Sequence, residues 1–163
     1  MTNITDRAQL VAQYFVWKNQ VEPKTTGLDK LKLQKLLYYA QAWNLVFNGK
    51  TLFSNNIEAW VHGPAIADIY QTYKNFDFVH PSVRLSNDDF KSFSVEERKI
   101  LDDIWDVYGK YDGSYLESLT HSELPWQEAR SGMSSVEPSQ NIISTQRMKE
   151  YYGEKFERSK KVS

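Results

Sequence analysis

Residues 31–48, LKLQKLLYYAQAWNLVFN, carry the strongest helical pattern in the chain. Leu33, Leu36, Leu37, Ala40, Trp43 and Phe47 recur at helical spacing and define one apolar face. Tyr39, Ala42 and Val46 define a second, so the latter half is apolar over most of its circumference. Such a helix is expected in the middle of a domain, with Gly49 as its C-terminal cap. One polar stripe interrupts it: Gln34, Tyr38, Gln41, Leu45 and Asn48. These residues either face water or hydrogen-bond something specific.

Before this helix, Leu10, Val11, Tyr14 and Phe15 predict a short amphipathic helix that Asn3 or Thr5 caps, and Pro23 and Gly27 break the pattern. After it, residues 51–64 read as a β-hairpin, with Leu52–Phe53 and Ile57–Val61 as strands and Ser54-Asn55-Asn56 as the turn. Ile57, Ala59 and Val61 share one face of the second strand; Glu58, Trp60 and His62 share the other. Gly63 suits a tight turn, and Pro64 suits the first turn of a following helix with Ile66, Ile69, Tyr70 and Tyr73 as its buried stripe.

Residues 74–93 read as irregular. Ser94 with Glu97 makes a capping box for a helix with Ile100, Leu101, Ile104, Trp105 and Tyr108 inward, and Ser114 with Glu117 repeats that box before residues 115–121. A short helical turn is expected near Pro125, then a Gly/Ser/Pro-rich loop. A last helix carries Met148, Tyr151, Tyr152 and Phe156, with residues 155–163 as a flexible basic tail. The fold class predicted is mainly α: a compact single-domain helical bundle over residues 1–163 with one small β-hairpin.

At 163 residues the chain can bury a real core. It holds 5 Trp, 10 Tyr and 8 Phe, side chains that fill cores and anchor protein interfaces. A net charge of −1 gives no global field favouring nucleic acid, which is not expected as a partner. The absence of cysteine excludes disulfides, thiolate metal sites and a cysteine nucleophile. No signal peptide and no apolar run near the roughly 20 residues of a membrane span is visible, so a cytoplasmic location is expected.

No catalytic or metal-binding pattern stands out. His62, His80 and His121 are isolated in sequence, without the close ligand spacing of a zinc site, so neither metal nor cofactor is expected. No nucleophile elbow or phosphate loop occurs, and the 7 glycines are scattered singly. A Glu58/His62/His121 acid–base group is the one enzymatic alternative. Trp60, opposite the apolar side of the hairpin, either covers the core or awaits a partner.

Three blocks in this order, LKLQKLLYYAQAW, IEAWVHGPAIADIYQTYK and LTHSELPWQEAR, closely resemble the Panacea antitoxin domain family, which includes SocA-like antitoxins and many phage- and prophage-encoded proteins. The resemblance runs from about the first helix through Arg130 and extends to ISTQRMKEYY. It implies a compact, mainly helical, non-enzymatic domain encoded beside a toxin gene and neutralising that toxin by direct contact. The SocA type instead implies an adaptor that delivers its toxin to an AAA+ protease. The family blocks fall on Leu33, Gln34, Lys35, Tyr38, Tyr39, Trp43, Glu58, Trp60, His62, Gly63, Pro64, Tyr70, Thr120, His121, Pro125 and Trp126, many of them fold residues. An appended DNA-binding domain is not expected. Partner contact is expected from Gln34, Tyr38, Gln41, Glu58, Trp60, His62 and His121, with Trp43, Gly63, Pro64, Pro125 and Trp126 serving the fold.

Overall fold

The computed structural model describes residues 6–162. Seven α-helices and one two-stranded antiparallel sheet are present among them: α1 (Arg7–Val21), α2 (Lys30–Asn48), β1 (Glu58–Trp60), β2 (Gly63–Ala65), α3 (Ala67–Tyr73), α4 (Val95–Tyr108), α5 (Gly113–His121), α6 (Leu124–Ala129) and α7 (Thr145–Val162). A 3-10 turn, Asn87–Phe90, precedes α4.

Helix α2 is the axis of the molecule. It packs against α1, α3, α4, α5, α7 and β2, which explains why it is apolar on more than one side. Leu33, Leu36, Leu37 and Ala40 are fully buried, in one core cluster with Val11 and Phe15 of α1, Leu101 and Trp105 of α4, and Met148 and Tyr152 of α7. Each large side chain so buried contributes on the order of 1.5–3 kcal/mol of transfer free energy. Gly49 ends α2 at φ 75, in the left-handed region where glycine has no Cβ penalty.

The helix starts are chemical. Asp29 caps α2 by accepting from the Lys32 N–H at 2.8 Å, and Ser94 and Glu97 form the expected capping box of α4. Two caps differ from expectation. Asp6 caps α1, while Asn3 and Thr5 lie outside the described residues. Asp112, not Ser114, caps α5 by accepting from the Tyr115 N–H at 2.8 Å, which frees Glu117 for another partner.

The hairpin also differs. Its strands are β1 and β2, paired Glu58↔Ala65, Ala59↔Pro64 and Trp60↔Gly63, with the turn at Val61–His62. Leu52–Phe53 forms no strand, because Gln41 takes both of its backbone N–H groups (2.7 and 3.4 Å) and the Phe53 carbonyl (2.8 Å). Pro64 sits in β2 instead of opening a helix. The Ala59 N–H points away from it, to the Asn141 carbonyl at 2.8 Å, so no ladder bond needs the N–H that proline lacks. The Ile143 N–H bonds the Ile57 carbonyl at 2.8 Å, adding residues 141–143 along the free edge of β1. As far as Val162 the basic segment expected as a tail continues α7 as helix, with Phe156 packed edge-on to Phe47 at 4.9 Å.

Candidate functional site

The polar stripe of α2 resolves into internal hydrogen bonds. Gln34, 6% exposed, donates to the Ile66 carbonyl at 3.0 Å and accepts from the Ile66 N–H at 2.9 Å. That clamp fixes the start of α3, whose N-cap has no side-chain hydrogen bond of its own. Tyr38, 1% exposed, shares a 2.9 Å hydrogen bond with the Tyr152 hydroxyl. Burial pushes the Tyr38 phenol far above its ordinary range. Gln41, also 1% exposed, holds residues 52–53. The polar atoms of Tyr38 and Gln41, expected to contact a partner, are instead engaged by buried groups that a core cannot leave unpaired.

The hairpin residues are placed differently. Trp60 is half-buried; its indole N–H donates to Glu58 at 2.7 Å and its ring meets Tyr70 edge-on at 5.5 Å. Tyr70, expected in the buried stripe of α3, is 39% exposed. The His62 side chain is 77% exposed and its Nδ1 lies 3.1 Å from Glu117 of α5. His121 faces inward, stacked on Trp126 at 4.0 Å. No side chain among the described residues bonds its buried Nε2, and burial lowers its pKa against an opposing pull from Glu117 and the Val61 backbone. No hydrogen bond or ion pair joins any two of Glu58, His62 and His121 among the described residues: Glu58 holds the Trp60 indole, His62 pairs with Glu117 and His121 stacks on Trp126.

The fold residues do what their types suggest. Gly63 turns the chain at φ 103, and a Cβ there would lie 2.7 Å from Lys35 Cε. Pro125 opens α6. The Trp126 indole N–H donates to the Trp60 carbonyl at 2.8 Å, tying α6 to β1. The Trp43 indole N–H donates to the Tyr108 hydroxyl at 2.9 Å.

Between α2, the hairpin and α3 lies a groove of about 620 Å³. Trp60, Ile69, Tyr70 and Tyr73 supply apolar walls, with Leu31 beside them. Gln34, His62 and Glu117 also line it, as does Lys35, a member of the first family block. Lys35 is 1% exposed and donates to the Pro64 carbonyl at 3.0 Å. Burial holds its amine down to about 7, against weaker opposite pulls from Glu117 and Asp29. A lysine flanked by Leu33, Leu36 and Leu37 was the available signal. A second groove, of about 770 Å³, runs between α2 and α7 past Val46, Phe47, Gly153 and Phe156. No group of three or more His, Cys, Asp or Glu side chains able to hold a metal occurs among the described residues. No helix there is long and apolar enough to cross a membrane.

A family model described as "Antitoxin SocA-like, Panacea domain" matches residues 33–127. That span includes most of α2, the hairpin, most of the groove lining and α5. No curated protein and no solved structure matches.

Proposed function

We propose, from the premise that this chain belongs to the SocA-like Panacea antitoxin family, that it neutralises a protein toxin by binding it directly through the hairpin groove. The family supports a general antitoxin role; the surface and the mode of action are our reading. The observation that carries it is the half-exposed aromatic pair Trp60 and Tyr70 at the mouth of an apolar groove. Large rings at a concave, polar-rimmed patch are the usual anchors of a protein interface. Exposed His62, with Glu58 and Glu117 nearby, supplies a polar rim able to select one partner. Of the residues expected to contact a partner, Glu58, Trp60 and His62 remain as anchors. Gln34 acts by shaping the wall, His121 by supporting the turn through Trp126.

The toxin is the product of the adjacent gene, and the encounter takes place in the cytoplasm. Co-expression tests this: growth must be rescued, the two proteins must co-purify, and the half-life of the toxin must stay unchanged. A second reading, delivery of the toxin to an AAA+ protease, needs a second contact surface, and the α2–α7 groove with exposed Phe47 is one. Rescue accompanied by protease-dependent loss of the toxin would select it.

A further inference from the structure

The fold buries three lysines, and their ammonium groups are not treated alike. Lys18, 5% exposed, meets the carboxylates of Glu22 and Asp102. Lys32, fully buried, donates to the Thr26 carbonyl, the Thr26 hydroxyl and the Gly109 carbonyl. Three acceptors match the three donors of an ammonium group. Among the described residues Lys35 has one hydrogen bond, to Pro64, and no carboxylate within ion-pair distance. Glu117, whose charge it feels, is engaged with His62. Lys35 also lines the groove, where glycine at position 63 leaves room for its stem.

We propose that the groove receives a segment of the partner protein presenting a carboxylate to Lys35 Nζ beside an apolar side chain that packs among Trp60, Ile69, Tyr70 and Tyr73. This rests on the reading of the chain as a toxin-binding protein and specifies what it binds. A carboxylate supplies the acceptors that Pro64 alone does not, through charge-assisted bonds stronger than neutral ones. An isolated buried cation is costly, and an arriving anion removes that cost where a neutral side chain cannot. The aromatic walls set the other half of the recognition, since they accept a ring or an aliphatic chain, while Glu117, held by His62, is the one carboxylate in the lining among the described residues. Lys30, 6.0 Å above the Tyr70 ring, adds positive charge to the mouth.

The test uses three probes of one shape titrated into the isotope-labelled full chain: 3-phenylpropionate, 3-phenylpropanamide and 3-phenylpropylammonium. The expected result is amide-signal shifts at Gly63, Ala65 and Tyr70, with the acid binding at least about ten-fold more tightly than the amide. Lys35→Met keeps the stem and must bring acid and amide to equal affinity. Should that variant fail to fold, the Lys35 side-chain resonances of the parent protein decide, shifting with the acid and not with the amide. Equal affinity of acid and amide for the parent, preference for the ammonium, or no shift at the groove overturns the proposal. In the toxin complex, exchanging toxin Asp and Glu singly for Asn and Gln must reveal one loss that Lys35→Met does not deepen. Growth rescue without such a residue overturns this inference and leaves the antitoxin reading standing. Absence of rescue strikes that reading, while the titration still decides the groove.

Discussion

The side-chain amide of Gln34 holds both backbone polar groups of Ile66, donating at 3.0 Å and accepting at 2.9 Å. One residue of α2 thereby sets where β2 ends and α3 begins, and with it the position of Ile69, Tyr70 and Tyr73 on the groove wall. Gln34→Leu leaves the buried Ile66 N–H unpaired and the Ile66 carbonyl with the Tyr70 N–H alone, and is expected to lower stability by about 1–3 kcal/mol in urea denaturation. Hydrogen exchange of Tyr70 and Tyr73 should quicken first. An unchanged denaturation midpoint would mean that water replaces the clamp without cost.

Lys35 makes stability depend on pH in a defined direction. Its amine titrates at about 7 in the fold against 10.5 when free, so between these values the unfolded chain holds the extra proton. Stability therefore rises with pH through that window, and the full penalty applies below its lower end. Lys32, lowered to about 8 by burial, contributes with the same sign, so the informative comparison is with Lys35→Met. That variant is expected to melt higher than the parent at pH 6, with the gap closing towards pH 10. A gap independent of pH would show that the amine stays charged in both states.

Gly63→Ala meets two obstacles: a backbone at φ 103 and a Cβ position 2.7 Å from Lys35 Cε. The expected loss is about 1–3 kcal/mol from the strained backbone, plus what displacing Lys35 costs. Shortening the neighbour separates the two parts. In Gly63→Ala/Lys35→Ala the combined loss should be smaller than the sum of the single losses, because the contact with Lys35 is gone while the strain and the tight approach to Thr120 Oγ1 at 3.0 Å remain. Strict additivity in thermal melts would contradict the close approach.

His62 is the cleanest surface probe, with 77% of its side chain exposed and one ion pair, to Glu117. His62→Ala is expected to change stability by no more than about 0.5 kcal/mol while weakening the toxin complex by about 1–4 kcal/mol. Calorimetry of binding beside thermal melting reads both. A variant that binds as the parent does would remove His62 from the interface.

Helix α2 was legible because a long 3.6-residue period and a terminal glycine are local signals. The capping box of α4 and the short helix at Pro125 were legible for the same reason. The hairpin register was not. Gly63-Pro64 fits a helix entry as well as a strand, and what decides is a distant segment, residues 141–143, taking the Ala59 N–H. The fate of the α2 stripe was equally long-range: Gln34, Tyr38 and Gln41 look like surface or site residues until Ile66, Tyr152 and residues 52–53 come to meet them. Trp60 and His62 were legible as hairpin-face residues, but their partners Tyr70 and Glu117 lie on other elements. Lys35 carried the least local signal of all, because its meaning depends on acceptors that are missing from its neighbourhood.

The most direct test is calorimetric titration of the purified toxin with the parent chain and with Trp60→Ala, each shown to be folded by its amide spectrum. Direct neutralisation through the groove requires a stable complex with the parent and a loss of about 2–4 kcal/mol with the variant, the range of a buried aromatic anchor. An unchanged affinity for a folded Trp60→Ala protein would place the toxin on another face and contradict the assignment of this groove.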